Sequence, residues 1–323
     1  MDLPRITIVS PASARDNNGN WQTASRWAQF LAGRHAVEVC GQWPDGKMAA
    51  PDLLIALHAR RSAASLAAFR AAFPQRPTIL VLTGTDLYRD IDTSPEARAS
   101  LEEAGALVVL QEAGLARLPA PLRAKARVIY QSAPDLPRAS VQAPGDGTLE
   151  ICMIGHLRPE KDPLTFMRSA ALVTDERVRL LHVGSALDED LAAAARATER
   201  DTPRYRWLGP LPHAEARARL AGCHAMAIAS TMEGGANVII EAVTSGVPVL
   251  ASSIDGNRGM LGLDYAGYFP PGDAAALARL IDRCAGDAAF YAQLARQCAA
   301  RAPLFAPGAE QAALTDLVDN LLP

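Results

Sequence analysis

The chain has 323 residues, 49% of them apolar, and a formal net charge of −3 at pH 7 with acidic and basic side chains interleaved. That length exceeds one ordinary hydrophobic core and suits two domains of roughly 150 residues each, while the mixed charge offers no basic stripe for a phosphate backbone and argues against a nucleic-acid partner. Five scattered cysteines, Cys40, Cys152, Cys223, Cys284 and Cys298, form no C-x-x-C pair and read as small core residues of a reducing compartment.

Along the chain, short β-branched runs alternate with Ala-rich segments of helical period, the pattern of βα units on parallel sheets. The first half offers "ITIVS", "AVEVC", "LLIAL", "TILVL", "ALVVL" and "RVIYQ" as strands. Between the first two, "WQTASRWAQFLAG" places Ala24, Trp27, Ala28 and Leu31 on one helical face, from an opening near Trp21 to a stop at Gly33. A Pro- and Gly-rich aperiodic stretch, "QSAPDLPRASVQAPGDGTLE", reads as a linker, with the domain boundary at residue 144. The second half offers "LEICMIG", "VRLLHVG", "YRWLG", "AMAIAS", "PVLAS" and "GYF". The predicted fold class is therefore α/β with two doubly wound Rossmann-like domains, 1–144 and 145–306. The amphipathic tail, 307–323, is free to pack on either. The start has no signal-peptide pattern and no run is long enough to span a bilayer, so a soluble cytoplasmic protein without a membrane partner is expected.

Ligands of doubly wound sheets sit beyond the carboxyl ends of the strands. In "STMEGGANVIIEAVTSGVPVLAS", Glu233 lies in such a loop, Gly234 and Gly235 permit close approach of a ligand, and a helix opens near Asn237. Its free N–H groups suit a diphosphate. Glu241, about 6 Å further along the axis, is spaced for a ribose hydroxyl pair. The alternative is a capping Glu233 and a solvated Glu241, but the small and apolar residues around Glu241 make an unpartnered carboxylate costly there. In "MIGHLRPEKDPL", Arg158 and Lys161 follow Gly155 and can present two cations to one anion, or else form a solvated loop. In the first half, His58 follows "LIAL", and Thr83, Gly84, Thr85 and Asp86 follow "TILVL". A lone strand-end histidine is commonly structural, yet two polar strand-end loops on one sheet argue for a lined cleft. Finally, "ARDNNGN" leaves the first strand, where Arg15, Asn17, Asn18, Gly19 and Asn20 make either an anion seat or an ordinary Asn-Gly turn. No metal is expected, since no Asp-x-Asp triple occurs at a strand end.

These stretches together resemble the retaining GT-B glycosyltransferases of the glycogen-synthase-like class. Glu233 and Glu241 match the E-x7-E signature, and "GHLRPEKDP" is similar to the G-R-x4-K loop, with His156 directly after the glycine and Arg158 two residues later. The resemblance implies two domains facing a cleft and catalysis by Lys161, Arg158, Glu233 and His58. It implies a nucleotide-sugar donor bound by Gly155, Arg158, Lys161, Leu208, Gly209, Glu233, Gly234, Gly235, Ala236, Asn237, Val238 and Glu241. The acceptor would fall to Arg15, Asn17, Asn18, Gly19, Asn20, His58, Thr83, Gly84, Thr85 and Asp86. In place of the paired glycines usual in the first loop stands "DNNGN". The first half, from "TIVSPASARDNNGNWQTASRWAQFL" to "VIYQSAP", resembles the bacterial selenosugar synthases of selenoneine biosynthesis. That likeness implies transfer of a sugar from UDP-GlcNAc or UDP-glucose to the selenium of selenophosphate, giving a 1-selenosugar after loss of phosphate, with no cofactor beyond these small-molecule substrates. The working form is left open between a monomer and a homodimer. The rival readings are a hydroxyl-acceptor glycosyltransferase, a GT-B epimerase or phosphorylase, and a non-catalytic nucleotide-sugar-binding protein.

Overall fold

The computed structural model describes residues 3–13, 19–46, 49–136 and 147–322. Two compact units emerge: Met1–Ser132 with Pro307–Pro323, and Ala133–Ala306. The expected boundary at 144, and the expected acceptor residues Arg15, Asn17 and Asn18, lie outside the described residues.

The first unit runs β1 (Arg5–Val9), α1 (Gly19–Leu31), β2 (Ala36–Cys40), β3 (Leu53–Leu57), α2 (Ala63–Ala72), β4 (Thr78–Leu82), α3 (Ile91–Thr93), α4 (Pro95–Glu103), β5 (Ala106–Val109), α5 (Ala113–Arg117) and β6 (Ala126–Val128). Its strands form one six-stranded sheet in the order β2-β1-β3-β4-β5-β6. Every pairing is parallel. Because a strand turns successive side chains to opposite faces, the apolar runs split between two cores. Ile55, Ile79, Val81 and Val108 pack with Ala24, Trp27 and Leu31 of α1, and Leu54, Leu80, Leu82 and Val109 pack with Leu66 and Phe69 of α2. Helix α1 begins two residues earlier than expected, so Gly19 and Asn20 belong to its first turn rather than to the loop before it. The strand expected over "RVIYQ" is short: β6 ends at Val128, and only the Ile129 N–H continues the pairing, onto Val109 O at 3.0 Å.

The second unit runs β7 (Leu149–Ile154), α6 (Pro163–Leu172), β8 (Val178–Val183), α7 (Glu189–Asp201), β9 (Tyr205–Gly209), α8 (His213–Ala221), β10 (Ala225–Ile228), α9 (Asn237–Thr244), β11 (Val249–Ser252), α10 (Asp255–Leu261), β12 (Tyr268–Phe269), α11 (Ala274–Gly286) and α12 (Ala288–Arg301). Its sheet is again parallel, ordered β12-β11-β10-β7-β8-β9. The order reverses direction between β10 and β7, and in the first sheet between β1 and β3. Loops leaving a sheet on either side of such a switch point diverge and leave a crevice.

Helix α13 (Pro307–Asp319) returns to the first unit, burying Leu314, Leu317 and Val318 in the core that holds Trp27. Glu310 on this helix is 1% exposed. Its Oε1 accepts from Trp27 Nε1 at 2.7 Å and Arg26 Nη2 at 3.0 Å, and its Oε2 from Arg26 Nε at 2.7 Å and from the Ser132 N–H at 2.7 Å and hydroxyl at 2.5 Å. One carboxylate thereby joins α1, α13 and the end of the first unit's chain. Among the described residues, no helix is long and apolar enough to cross a membrane.

Candidate functional site

At the second sheet's switch point stand the loops after β7 and β10. The first is shaped by a row of glycines along the sheet's carboxyl edge. The Gly155 N–H reaches Val183 O and the Gly184 N–H reaches Gly209 O, each at 2.9 Å. A Cβ on Gly184 would lie 2.0 Å from Gly155 O, so no larger residue fits between these strand ends. Below them the buried His182 donates from Nε2 to Gly155 O at 3.2 Å while Nδ1 accepts from Tyr205 Oη at 3.0 Å. Burial lowers the pKa of His182 to about 4, keeping the ring neutral. In the unfolded chain an exposed histidine titrates near 6.5, so the unfolded state binds more protons below that value and stability falls as pH drops from about 6.5 to about 4. His182→Gln should remove this dependence: urea melts of the two proteins should converge by up to about 3 kcal/mol over that window.

After Gly155 the chain makes a tight turn, Pro159–Lys161, and α6 is then capped by Asp162, which accepts from the Thr165 N–H at 3.4 Å and hydroxyl at 2.5 Å. Asp162 is thus a helix cap. His156 accepts from the Ser185 N–H through Nδ1 at 3.1 Å, and burial, then Arg158 and Lys161, lower its pKa. The Lys161 stem runs 3.6 Å from where a Gly155 Cβ would stand, and its Nζ meets Glu233 Oε1 at 2.5 Å. Arg158 is exposed, and its charge acts with that of Lys161 on the same His156 ring. The two loops are also stitched by the Thr231 N–H donating to Glu160 O at 2.9 Å. The sequence placed Lys161 and Glu233 in one site but gave no hint of a direct bond between them, because their separation of 72 residues carries no local signal.

Glu233 has a second fixed support. A Cβ on Gly256, in the first turn of α10, would fall 2.1 Å from Glu233 O, so the helix backbone sits directly against this loop. Asn257 beside it is fully buried and donates to Ser252 O at 2.9 Å and Oγ at 3.0 Å, and the Ser252 hydroxyl donates to Ser230 O at 2.6 Å. Sequence reasoning passed over these groups, whose small side chains look like ordinary loop composition.

Helix α9 opens at Asn237 behind Ala236 with no side-chain cap; Ala236 O takes the Ile239 N–H at 2.9 Å, and the positive dipole end lies at the Asn237 and Val238 N–H groups. Gly234 and Ala236 are buried, with Gly235 and Val238 half-buried around that opening. Glu241 is only 8% exposed, among buried Ile239, Ile240, Ala242 and Val243. Its Oε1 accepts from His213 Nε2 at 2.7 Å, a bond that raises the histidine's pKa against the opposing effects of burial and Arg217. Leu208 and Gly209 end β9, where Gly209 takes φ +71°, a left-handed conformation that glycine adopts without strain.

In the first unit, His58 follows β3 with φ +75°, a backbone strain costing roughly 1–3 kcal/mol in a non-glycine residue. It is 2% exposed. The Arg61 N–H donates to its Nδ1 at 3.3 Å, which leaves the neutral ring's proton on Nε2, facing Thr85 Oγ1 at 3.1 Å. Burial is the largest influence on its pKa and lowers it, outweighing Asp86. Asp86, fully buried at the start of a π-helical turn, accepts from the N–H groups of Thr83, Gly84, Leu87 and Ala59 at 2.8–3.0 Å. Its oxygens are occupied in fixing this loop and the turn after His58, and the Thr83 and Gly84 donors with them. Asp90, unremarked in the sequence, accepts from Arg60 Nε at 2.8 Å and Arg89 Nε at 3.2 Å. At the ends of β1 and β2 lies a separate cavity of about 300 Å³, lined by residues including Ser10, Ala12, Ser13, Trp21 and Cys40. Burial, then Asp45, push the Cys40 thiol up to about 11, so it stands there protonated. Among the described residues, no group of three His, Cys, Asp or Glu side chains is placed to hold a metal ion.

Comparison with known proteins agrees with the fold. Residues 148–287, nearly all of the second sheet and its helices, match the family model of glycosyl transferases group 1. Solved structures align over almost the whole chain. HepE of Anabaena, in complex with UDP and glucose, is 18% identical, with 98% of this chain and 100% of that one covered at a TM-score of 0.74. Sucrose-phosphate synthase of Thermosynechococcus elongatus is 17% identical over 99% of both chains, with a TM-score of 0.77. A UDP-forming α,α-trehalose-phosphate synthase of Burkholderia xenovorans is 12% identical over 85% of this chain and 74% of its own, with a TM-score of 0.67. At such identities the likeness is one of fold: two parallel six-stranded sheets with flanking helices, the α/β GT-B class, whose second unit here carries the group 1 glycosyl transferase pattern.

Proposed function

We propose that this chain is a cytoplasmic nucleotide-sugar glycosyltransferase, its second unit holding a UDP-sugar and its first unit the acceptor. The observation that carries the reading is the set of groups gathered at one switch point: the uncapped start of α9, Lys161 bound to Glu233, and a nearly buried Glu241 one turn into the same helix. Free helix N–H groups bind phosphate oxygens, and Glu241 accepts the ribose hydroxyls. Glu233 with the Gly234–Gly235 backbone addresses the sugar. As the bond from the anomeric carbon to the diphosphate breaks, negative charge moves onto the leaving oxygen. Lys161, assisted by Arg158, stabilises that charge more than the ground state. Two side-chain cations supply this compensation, so turnover should be unchanged by a metal chelator.

For the acceptor we propose selenophosphate, on the resemblance of the first half to selenosugar synthases. A 300 Å³ cavity beside the start of α1 suits so small an anion. Selenium attacks the anomeric carbon of UDP-GlcNAc or UDP-glucose, UDP leaves, and hydrolysis of the Se–P bond releases phosphate and the 1-selenosugar. A selenium anion is nucleophilic without a base, so the buried His58 is not needed as one; its Nε2 faces Thr85 Oγ1 and holds the strand-end loop in place. The test is incubation of the full chain with each UDP-sugar and selenophosphate, read by mass spectrometry for the selenium isotope pattern and by UDP release. A selenium-containing sugar with matching UDP supports the whole reading. UDP release with a sugar alcohol but not with selenophosphate would retain the donor half and replace the acceptor. Thermal stabilisation by UDP-sugar without turnover on any acceptor would make the protein a nucleotide-sugar binder.

A further inference from the structure

His213 is the first residue of α8, reached from β9 through Gly209-Pro210-Leu211-Pro212. Two prolines in four residues fix the backbone φ of that approach, so the ring is delivered to its place with little conformational freedom left to lose. Its Nε2 stands 2.7 Å from Glu241 Oε1. The two side chains are unequally exposed: His213 is 49% exposed and Glu241 10%. With the His213 side half in solvent, the pair contributes only modestly to stability. Its geometry matters for another reason. A carboxylate offers about four lone-pair directions over two oxygens. His213 takes one of them on Oε1, and the short, charge-assisted bond fixes the plane in which the remaining ones lie.

We infer that His213 is a positioning residue for recognition of a ribose: by holding Glu241 Oε1 it aims the rest of the carboxylate at the vicinal 2′- and 3′-hydroxyls of a bound nucleoside diphosphate. The inference rests on the donor site proposed above. Without the imidazole, Glu241 turns about its own side-chain torsions, and the hydroxyl bonds it accepts lose their fixed geometry. Glutamine carries an N–H donor at nearly the position of Nε2 and should restore the arrangement, whereas alanine should not.

The experiment is calorimetric titration of the full chain, as wild type, His213→Ala and His213→Gln, with UDP and with 2′-deoxy-UDP. A hydroxyl donating to a charged acceptor contributes about 1.5–3 kcal/mol, so the wild type should prefer UDP by about tenfold or more. In His213→Ala the affinity for UDP should fall by about tenfold while that for 2′-deoxy-UDP barely changes, bringing the ratio near unity. In His213→Gln the preference should return. An unchanged ratio in His213→Ala, with UDP still bound, overturns the role of His213 and leaves the donor site standing. No UDP binding by the wild type, or no preference for the ribonucleotide, overturns the donor site and this inference with it. A general structural role for His213 would weaken both nucleotides alike, which also overturns it.

Discussion

Lys161→Ala should lower kcat with a UDP-sugar by about 10²–10³-fold, the usual loss when one preorganised donor to a developing negative charge is removed. The ammonium lies within 2.5 Å of Glu233 and only 16% of its side chain is exposed. In so sheltered a position a charge acts more strongly than it would in water. Removing it also leaves the Glu233 carboxylate without that partner, so part of the damage would be to folding. Two readouts separate the effects. The double variant Lys161→Ala, Glu233→Gln removes the stranded charge; its melting temperature should recover toward wild type while its kcat stays low. The KM for the sugar nucleotide should change less than kcat, because the leaving group carries its full charge only beyond the ground state. Wild-type kinetics in Lys161→Ala would remove Lys161 from the reaction and with it the proposed placement of the diphosphate.

The second large effect is one of stability. Glu310→Ala should destabilise the protein by roughly 3–5 kcal/mol, the range found when one member of a buried, hydrogen-bonded charge pair is taken away. Its loss takes the shared partner from the Trp27 indole N–H, the Ser132 N–H and hydroxyl, and the Nε and Nη2 of Arg26 at once. The Glu310 side chain is fully covered and that of Arg26 only 16% exposed, so solvent offers these groups little replacement. Glu310→Gln keeps the shape and an acceptor oxygen and should cost less. Chemical denaturation followed by tryptophan fluorescence tests this, with Trp27 as an internal reporter. A loss under 1 kcal/mol for the alanine variant would mean that the leucine and valine contacts of α13, not this carboxylate, hold the helix in place.

Much of the fold was legible because parallel sheets covered on both faces need unbroken apolar strands. "LLIAL", "TILVL" and "AMAIAS" announce β3, β4 and β10 with no competing helical period. The opening of α9 at Asn237 was equally plain, since two glycines precede an apolar run of helical spacing. The side-chain pairs were not. Glu310 meets Arg26 across 284 positions and His213 meets Glu241 across 28, and neither separation follows a helical or strand repeat. Asp86 was visible as a polar residue after a strand, but that it turns inward to collect four backbone donors depends on the π-helical turn it begins, which no composition rule specifies. Burial decides what such a residue does, and a sequence read locally sees only its type.

The contact of Gly256 with the Glu233 carbonyl bears on how the protein could be redesigned. With hydrogen as the only group that fits at position 256, any side chain there would press on the peptide carrying Glu233. Any substitution at Gly256 should therefore displace the loop that carries Glu233. Changes to this loop are better sought at Met232, which is half-buried, than at Thr231, whose hydroxyl also reaches Glu160 O.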